Sequence, residues 1–528
     1  MKWMLSFLFC VGCLFGEPSE AQLETLERSL DPASISEALA FYHLYPKTAQ
    51  GEKALARAWE LIYKHRSDRS VLQGALVLPA MEIDAIISLV NKEPHDTSLT
   101  LSEDELETIE RIADHLANRK LRGHSIWKKE DLFSLSAEEI DLSRALFLYQ
   151  FEDNLLSLRQ YEAMLDLIAL QILARLDSDA TNKEKIDAIS HFIFHEKRFR
   201  FPPHSLSTKE IDTYTFLPSV LDSRLGVCLG VSILYLSIAE RLDVPMEIIT
   251  PPGHIYVRFR DGEETINIET TARGIHIPDR MYLGINTRKL QERTKKEVVG
   301  LAFMNQASVF WQKKDHKTAT ELYEKALPYL PNDPLLKMFL GYNYLFIGKE
   351  KEGKKLLREI KDLTFDHAVT KEVTPEDFLS GKVNAHGIKT IFLHVDETRE
   401  SILSKQKKLK KILKKYPKFR DGLLQLAVTY LQLGRGKEAY EILNRYHAID
   451  SQNPIVEYYL SILATQRFDY KKGWQHLQTA ETLTAKRDHA PHCLKGLRHS
   501  LRALHPDPQD EITLPLFPNH VTVSEKGP

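Results

Sequence analysis

The chain has 528 residues, too many for a single hydrophobic core, and this length predicts about two to four domains. Hydrophobic residues make up 43% and charged residues 27% of the sequence, which is typical of soluble globular proteins. The formal net charge is -2 and the isoelectric point is near 6.9. The chain therefore lacks the excess of basic residues that is typical of nucleic-acid-binding proteins. We therefore predict no nucleic-acid partner.

The N-terminal residues 1–16 combine one basic residue, Lys2, with an apolar run. The run is too short to span a bilayer comfortably and suits the hydrophobic region of a signal peptide. We predict an exported protein, periplasmic or membrane-associated, with cleavage after Gly16 or, alternatively, lipidation at Cys13. A retained hydrophobic anchor is the other interpretation, and a cytoplasmic location follows if the run is not a signal.

The chain has four cysteines: Cys10, Cys13, Cys228 and Cys493. Removal of a signal peptide would leave two of them, which is not a disulfide framework. A free thiol in an exported protein needs either burial or a function, and this draws attention to Cys228.

Residues 17–180 have apolar positions at helical spacing, for example Ile35, Leu39 and Tyr42. Ser102 and Glu105 form a capping-box pattern at the start of another helix. No residue pattern in this region indicates chemistry, so we predict a helical N-terminal region that acts as a scaffold.

A second capping box, Thr181 with Glu184, opens a helix that carries His191 and His195. Their spacing of four suits a metal site, but the glutamate of the HExxH motif is missing. We interpret them as ordinary residues of an amphipathic helix and predict no metal and no cofactor. A metal enzyme that also uses His204 and His276 is a minor alternative.

Residues 221–274 carry the strongest functional pattern. Cys228 opens an apolar helix that runs to about Leu242, and strand candidates follow at 246–250, 254–260 and 264–270. Asp261-Gly262 predicts a hairpin turn between the last two strands. A helix followed by an antiparallel sheet is an α+β arrangement.

Three residues of this segment have the chemistry of a nucleophilic triad. A cysteine attacks as a thiolate, which a helix N-terminus and a nearby imidazolium both favour. Cys228 stands at such a helix start, His254 follows a Pro-Pro-Gly turn, and Glu269 lies fifteen positions later. If the two strands pair in register, strand alternation brings Glu269 beside His254. We predict Cys228 as nucleophile, His254 as base and Glu269 as the group that orients the imidazole.

Three stretches of this segment, GVCLGVSILYLSIAERLDVP, PPGHIYVRF and INIETTARG, resemble the bacterial transglutaminase-like proteins of the SirB type. Those proteins combine a transglutaminase-like core with tetratricopeptide (TPR) repeats. The resemblance is close over about residues 181–290. It implies a papain-like cysteine-protease fold, with Cys228, His254 and Glu269 as the triad.

The chain departs from that family at three points. Many SirB-type members have a proline-containing sequence where this chain has Val227-Cys228, and they lack the nucleophile. The third triad position is Glu269 instead of the commoner aspartate. No glutamine precedes Cys228 closely, so the side-chain oxyanion donor of papain-like proteases is unidentified, although the Cys228 N–H could supply one donor.

The C-terminal part contains a repeat of TPR type, in which each unit has about 34 residues and small residues at helix contacts. The units that fit are 300–333, 334–367, 420–453 and one that begins at 454. The small residues predicted at helix–helix contacts are Ala319, Gly353, Ala439 and Gly473. These segments predict stacked antiparallel helix pairs.

Residues 368–403 interrupt the repeat register, and a lysine-rich stretch follows at 405–418. Leu409, Ile412, Leu413 and Tyr416 form a helical stripe in that stretch, which favours the solvated back of a repeat helix over a nucleic-acid patch. The tail after Leu504 is proline-rich and predicted to be disordered.

The predicted organisation has five parts. They are a signal or anchor at 1–16, a helical region at 17–180, a transglutaminase-like core at 181–295, TPR repeats at 296–485 with an insertion at 368–403, and a C-terminal helix and tail at 486–528. The fold class is α+β with a C-terminal α-solenoid. We expect thiol acyl chemistry on an amide, with a protein or peptide partner bound by the repeats. Hydrolysis and cross-linking both stay open, as does the rival interpretation of a non-catalytic interaction scaffold.

Overall fold

The computed structural model of the chain describes residues 18–66, 80–94, 96, 101–202, 215–262, 264–396 and 398–507. The predicted signal segment with Cys10 and Cys13, His204, and the tail beyond residue 507 all lie outside the described residues. Within the described part, each helix is too short or too polar to cross a membrane.

The chain divides into two compact units. Unit 1 comprises residues 1–277, 292–309 and 325–331, and unit 2 comprises residues 278–291, 310–324 and 332–528. The predicted first repeat, 300–333, is therefore shared between the units. The other three predicted repeats lie entirely in unit 2.

The N-terminal part of unit 1 is helical, as the periodicity of 17–180 predicts. Its helices are α1 (Glu20–Arg28), α2 (Ile35–Leu44), α3 (Ala49–Ile62), α4 (Ala80–Val90), α5 (Glu103–Ile112), α6 (Leu142–Phe151) and α7 (Leu155–Leu173). Short 3-10 turns at Ala117–Lys120, Arg122–Ser125 and Lys129–Ser134 join α5 to α6. The predicted capping box of Ser102 and Glu105 is present at the start of α5 and satisfies two otherwise free N–H groups.

Unit 1 continues with α8 (Asn182–Ser190), the π-helical turn His191–Glu196, α9 (Leu217–Ser223) and α10 (Cys228–Arg241). Residues 229–239 of α10 are all buried, because this helix is apolar on every side and packs against α6, α7 and α8. The buried Arg241 near its end donates from Nε to Oδ1 of Asp166 at 2.8 Å. This ion pair fixes the C-terminal end of α10 in the core, whereas Cys228 lies at its N-terminal end.

A four-stranded sheet follows α10, with the strand order β3-β2-β1-β4. The strands are β1 (Glu247–Thr250), β2 (Tyr256–Asp261), β3 (Glu264–Ile268) and β4 (Gln291–Arg293). Both β1–β2 and β2–β3 are antiparallel, and Val257 pairs with Ile268. The predicted Asp261-Gly262 hairpin is confirmed: Asp261 pairs with Glu264, and Gly262 has φ 56°, in the left-handed region.

Two predicted strand positions are wrong, and both concern site residues. His254 precedes β2 in a turn, and Glu269 follows β3 at the start of the 3-10 turn Thr270–Ala272. The turn forms because the N–H of His254 donates to the carbonyl of Pro251, with Gly253 at φ 72°. The strand ends early because the Glu269 side chain caps the 3-10 turn.

The helices after the sheet are α11 (Lys295–Gln312), α12 (His316–Ala326), α13 (Pro334–Phe346), α14 (Glu350–Ile360), α15 (Thr374–Leu379), α16 (Ala385–Ile391), α17 (Arg399–Lys415), α18 (Arg420–Gln432), α19 (Gly436–His447), α20 (Pro454–Thr465), α21 (Tyr470–Ala485) and α22 (His492–Leu504). In unit 2 the pairs α13–α14, α18–α19 and α20–α21 pack together, one pair for each predicted repeat. The α+β fold with C-terminal helical repeats is confirmed.

The small residues of the repeats are buried where the sequence pattern places them. Ala319 and Ala439 are fully buried. A Cβ added to Gly353 would lie 2.7 Å from Cδ2 of Leu345 and 2.8 Å from the carbonyl oxygen of Gly341, both on the paired helix. A Cβ at Gly473 would lie 2.7 Å from Oγ1 of Thr465. The two glycines therefore allow the paired helices to approach closely.

The segment predicted as an insertion, 368–403, contains α15, α16 and the start of α17. The lysine-rich stretch forms α17, whose buried side includes Leu409, Ile412 and Leu413, as the stripe predicts. Tyr416 is different, since α17 ends at Lys415 and Tyr416 is its half-buried C-cap.

Candidate active site

Cys228 is the first residue of α10 and is partly exposed. The N-cap residue, Val227, makes no side-chain capping bond. The N–H groups of a first helical turn have no partner inside the helix, so the Cys228 N–H points out of the helix end with the positive end of the helix dipole.

The chain just before Cys228 is held tightly against the rest of unit 1. The N–H of Gly226 donates to the carbonyl of Arg200 at 3.0 Å, and the N–H of Arg200 donates to the carbonyl of Arg224 at 3.1 Å. A Cβ on Gly226 would lie 2.6 Å from Cγ2 of Val231. Glycine is therefore the residue that lets the chain enter α10 at this angle.

His254 joins the thiol to the carboxylate. Its Nε2 lies 2.7 Å from Oε2 of Glu269, and Cys228 is close enough to contribute to the shift in the pKa of the ring. The structure thus brings together all three residues that the sequence predicts as a triad.

The charge state of His254 follows from these contacts. Partial burial acts to lower the pKa of the imidazole, but hydrogen bonds and charge interactions with Cys228 and Glu269 outweigh it and raise the pKa to about 9. The imidazolium form is consequently favoured at neutral pH. A cationic ring beside a sulfur is the environment that favours a thiolate.

Glu269 is 3% exposed, and its carboxylate is fully engaged. While Oε2 faces His254, Oε1 accepts from the Thr271 N–H at 3.1 Å and from the Thr271 hydroxyl at 2.6 Å. The backbone of Glu269 is held as well, because its N–H donates to the carbonyl of Ile275. A buried carboxylate with this many partners keeps one orientation.

Two threonines that the sequence reasoning missed support this arrangement. Thr271 positions the carboxylate of Glu269. The buried Thr270 donates to the carbonyl of Cys228 at 3.5 Å and hydrogen-bonds the hydroxyl of Ser232 at 3.1 Å, which ties the end of β3 to α10. The available signal was the pair of threonines directly after Glu269, since Thr hydroxyls and an acidic side chain commonly cap a tight turn.

Three histidines of the alternative metal site, His191, His195 and His276, lie in the described part of the chain. The rings of His191 and His195 stack with centroids 5.5 Å apart, and Nδ1 of His276 accepts from the Asn267 N–H. Among the described residues, none of these three belongs to a group of three or more possible metal ligands. His204 lies outside the described residues.

One family profile matches the segment that contains these three residues. Residues 159–302 match the sequence profile of the Transglutaminase-like superfamily. The chain is also similar to the mouse (Mus musculus) protein "F-box only protein 21", at 27% identity over 88 residues, which is 16% of this chain. The match spans only 13% of the length of that relative.

Solved structures with some similarity are helical-repeat proteins. The TPR protein TTC0263 of Thermus thermophilus is 16% identical, with 39% of this chain and 97% of that chain covered and a TM-score of 0.20. YrrB, a TPR protein with an unusual peptide-binding site, is 15% identical, with 38% of this chain and 91% of that chain covered and a TM-score of 0.20. MamA is 15% identical, with 34% and 96% covered and a TM-score of 0.19. Scores this low add no support, so the repeat assignment rests on the helix pairs of the chain itself.

The family profile and the geometry point to the same segment. The profile match includes α10, β1 to β3 and the Cys228–His254–Glu269 cluster. The chain therefore contains a transglutaminase-like domain over residues 159–302.

Proposed function

We propose that this protein is a transglutaminase-like cysteine hydrolase or acyl-transferase that acts on an amide through a thioester. The observation that carries the proposal is the position of His254, whose Nε2 lies 2.7 Å from the Glu269 carboxylate and whose pKa is raised in part by the neighbouring Cys228. A nucleophile, a base and a group that orients the base are the parts this chemistry requires.

In the proposed reaction, Sγ of Cys228 attacks the amide carbonyl carbon. The C–S bond forms while the carbonyl electron pair moves to the oxygen, which the Cys228 N–H at the start of α10 stabilises. The C–N bond then breaks, and the imidazolium of His254 gives its proton to the leaving amine. The thioester reacts with water or with a second amine, whose proton His254 accepts, and the thiolate leaves.

The role of Glu269 in this scheme is to fix the imidazole and to stabilise its protonated form. The carboxylate is buried and held by Thr271, so it keeps the ring at one angle during both proton transfers. Glu269 stays ionised throughout, as does the acidic member of comparable triads.

The repeats would supply the partner. Stacked helix pairs present an extended surface, and a protein or peptide is the ligand class that such surfaces fit. The SirB-type character, bacterial origin, export and possible membrane attachment predicted from the sequence are parts of this proposal.

The alternative is a non-catalytic scaffold that uses the transglutaminase-like fold and the repeats for protein interaction. Acylation of the full chain by p-nitrophenyl acetate separates the two. The catalytic proposal expects a burst of nitrophenolate and an acetyl group on the Cys228 peptide, detected by mass spectrometry. His254→Ala should slow this step by about 100-fold or more, whereas Cys493→Ala should leave it unchanged.

Equal acylation rates in the wild type and His254→Ala, or acylation spread evenly over the cysteines, would support the scaffold. A second assay distinguishes hydrolysis from acyl transfer. A digest of a glutamine-rich protein is supplied with a biotinylated primary amine, and biotin incorporation indicates transfer, whereas release of new free carboxylates or amines indicates hydrolysis.

A further inference from the structure

A second cluster of ionisable side chains lies in unit 2, at the junction of the repeats 420–453 and 454 onward. His447 is the last residue of α19, Glu457 is in the first turn of α20, and His476 is in α21. Three helices thus each contribute one side chain to a single point. We propose that His447, Glu457 and His476 bind one divalent transition-metal ion, with zinc the best match.

The geometry is convergent. Nδ1 of His447 lies 2.6 Å from Oε1 of Glu457, and Nδ1 of His476 lies 2.8 Å from Oε2. The two imidazole rings are nearly perpendicular, at 86°, with centroids 5.4 Å apart. One ligand atom from each residue lies within 4.8 Å of the others. These are hydrogen-bonding distances, and a metal ion needs only a small separation of the three groups to take the place of the shared protons.

The negative charge of Glu457 favours the binding of a cation by this cluster. This carboxylate is fully buried, and among the described residues its ion-pair partners are the two histidines. A buried carboxylate is costly without a positive charge beside it. A divalent ion bound between the three side chains would supply that charge.

A comparable cluster in unit 1 shows an arrangement in which other side chains already occupy the carboxylate oxygens. His124, Asp141 and Glu162 also converge. There, however, Glu162 is engaged by the guanidinium of Arg144 through Nε at 2.7 Å and through Nη2, and Arg119 contacts His124. The Arg144 guanidinium occupies both oxygens of Glu162, and Asp141 accepts from Asn118, Ser143 and the Arg144 N–H, so that cluster has no place for a metal ion. The Glu457 cluster lacks such cations among the described residues.

The types of ligand and their exposure to solvent indicate which metal ion would bind. Two imidazoles and one carboxylate are a typical zinc set that leaves a coordination position open. The His447 side chain is 36% exposed and that of His476 is 12% exposed, so solvent reaches the cluster from one side and can supply both the ion and a fourth ligand. Coordination through Nδ1 requires each imidazole to carry its proton on Nε2. An ion here would link two successive repeats.

The test is zinc titration of the full chain by calorimetry. It is done on a Cys228→Ala background, because the Cys228 cluster offers a sulfur, an imidazole and a carboxylate of its own. One equivalent of zinc should bind and raise the thermal midpoint. Glu457→Gln and His476→Ala should each weaken that binding by about 100-fold or more, which is at or beyond the loss seen when a supporting residue of a metal site is removed. The exposed His499→Ala serves as the matched control and should bind zinc normally.

Cobalt(II) gives an independent readout, since a bound ion produces visible absorption bands that should disappear in Glu457→Gln. His447→Ala, at a helix end, replaces His476→Ala if the latter does not fold. The proposal is overturned if the Cys228→Ala protein binds no zinc, or if Glu457→Gln and His499→Ala bind it with equal affinity. In either case the cluster is a hydrogen-bonded link between repeats and no more.

Discussion

The carboxylate of Glu269 lies 2.7 Å from Nε2 of His254, and its other oxygen accepts two hydrogen bonds from Thr271. The imidazole is thereby held between a fixed acidic group and the thiol of Cys228. Because the carboxylate is buried, its charge acts on the ring with little screening by water. This pair governs how the ring titrates and how reactive the thiol is.

The first prediction concerns the pKa of His254. We expect about 9 in the wild type, above the ordinary value of 6.5, because the contacts with Cys228 and Glu269 outweigh the effect of burial. Cys228→Ala and Glu269→Gln should each lower it toward 6.5. NMR titration of the histidine resonances measures it, with His254→Asn identifying the signal. A wild-type value near 6.5 would contradict the ion-pair description.

The raised pKa of His254 also makes the unfolding free energy depend on pH. The folded pKa of His254 exceeds its unfolded value, so this contribution is fully present below about pH 6.5 and is lost as the pH rises through about 9. Because a Cys228 thiolate would titrate with the opposite sign, the comparison is made in Cys228→Ala: its unfolding free energy, minus that of Cys228→Ala with His254→Asn, should decrease as the pH rises above about 6.5. Denaturant unfolding at several pH values gives the difference, and an increase with pH would have the wrong sign.

The second prediction compares the two thiols of the described residues. Cys228 begins a helix and contacts His254, whereas burial raises the pKa of the Cys493 thiol. Iodoacetamide at neutral pH should therefore alkylate Cys228 faster, as peptide mass mapping can show. His254→Ala should slow labelling of Cys228 but not of Cys493. Equal rates at both thiols would argue against an activated nucleophile.

The start and end of α10 could be predicted from sequence, but the positions of the other two site residues could not. The apolar run after Cys228 and the stop before Pro245 place α10 within one residue of its observed end at Arg241. Strand alternation, by contrast, predicted the correct pair, His254 and Glu269, but from a strand pairing that the structure does not have. Since Val257 pairs with Ile268, continuing the ladder would place Glu269 opposite Tyr256 and not opposite His254.

The two side chains meet because each lies just outside its strand, in a turn. The His254 turn depends on Gly253 at positive φ, and the Glu269 turn depends on hydrogen bonds from Thr271. Side-chain caps of this kind leave no periodicity in the sequence. The repeats behave differently, because small residues such as Gly353 recur at fixed helix contacts and so indicate the helix pairs directly.

The third prediction tests those contacts with two matched substitutions, Gly353→Ala and Gly496→Ala, both within helices. A Cβ at Gly353 would lie 2.7 Å from Leu345 and 2.8 Å from a backbone carbonyl, so we expect destabilisation of about 1–3 kcal/mol. Gly496 has open space around it, and alanine there should stabilise α22 by about 0.5–1 kcal/mol. Thermal or urea unfolding measures both. The same sign for both would contradict the close helix contact at Gly353.

The fourth prediction concerns the buried Arg420, which joins the segment predicted as an insertion to α18. Its backbone N–H and its guanidinium donate to Asp377 at 2.7 to 3.3 Å, and the guanidinium also donates to Glu376 at 2.9 Å and to Asp450 at 3.1 Å. Arg420→Met would leave the fully buried Asp377 with only Lys382 as a cation among the described residues, at 3.3 Å. We expect a loss of about 3–5 kcal/mol of unfolding free energy, as is usual when one partner of a buried ion pair is removed.

Two comparisons make this last prediction specific. Arg435→Met removes an exposed ion pair with Glu438, which water screens, and should lower the unfolding free energy far less. The acid response should also change, because hydrogen bonds from Arg420 outweigh burial and hold the pKa of Glu376 down, at about 2 against an ordinary 4.5. A depressed carboxyl pKa stabilises the fold above about pH 4.5, and this contribution is lost as the pH falls toward 2. Arg420→Met should flatten the stability profile in that range, since the cation that lowers the pKa is gone. Equal losses in the two arginine variants would show that the 374–379 helix is not held to α18 by Arg420.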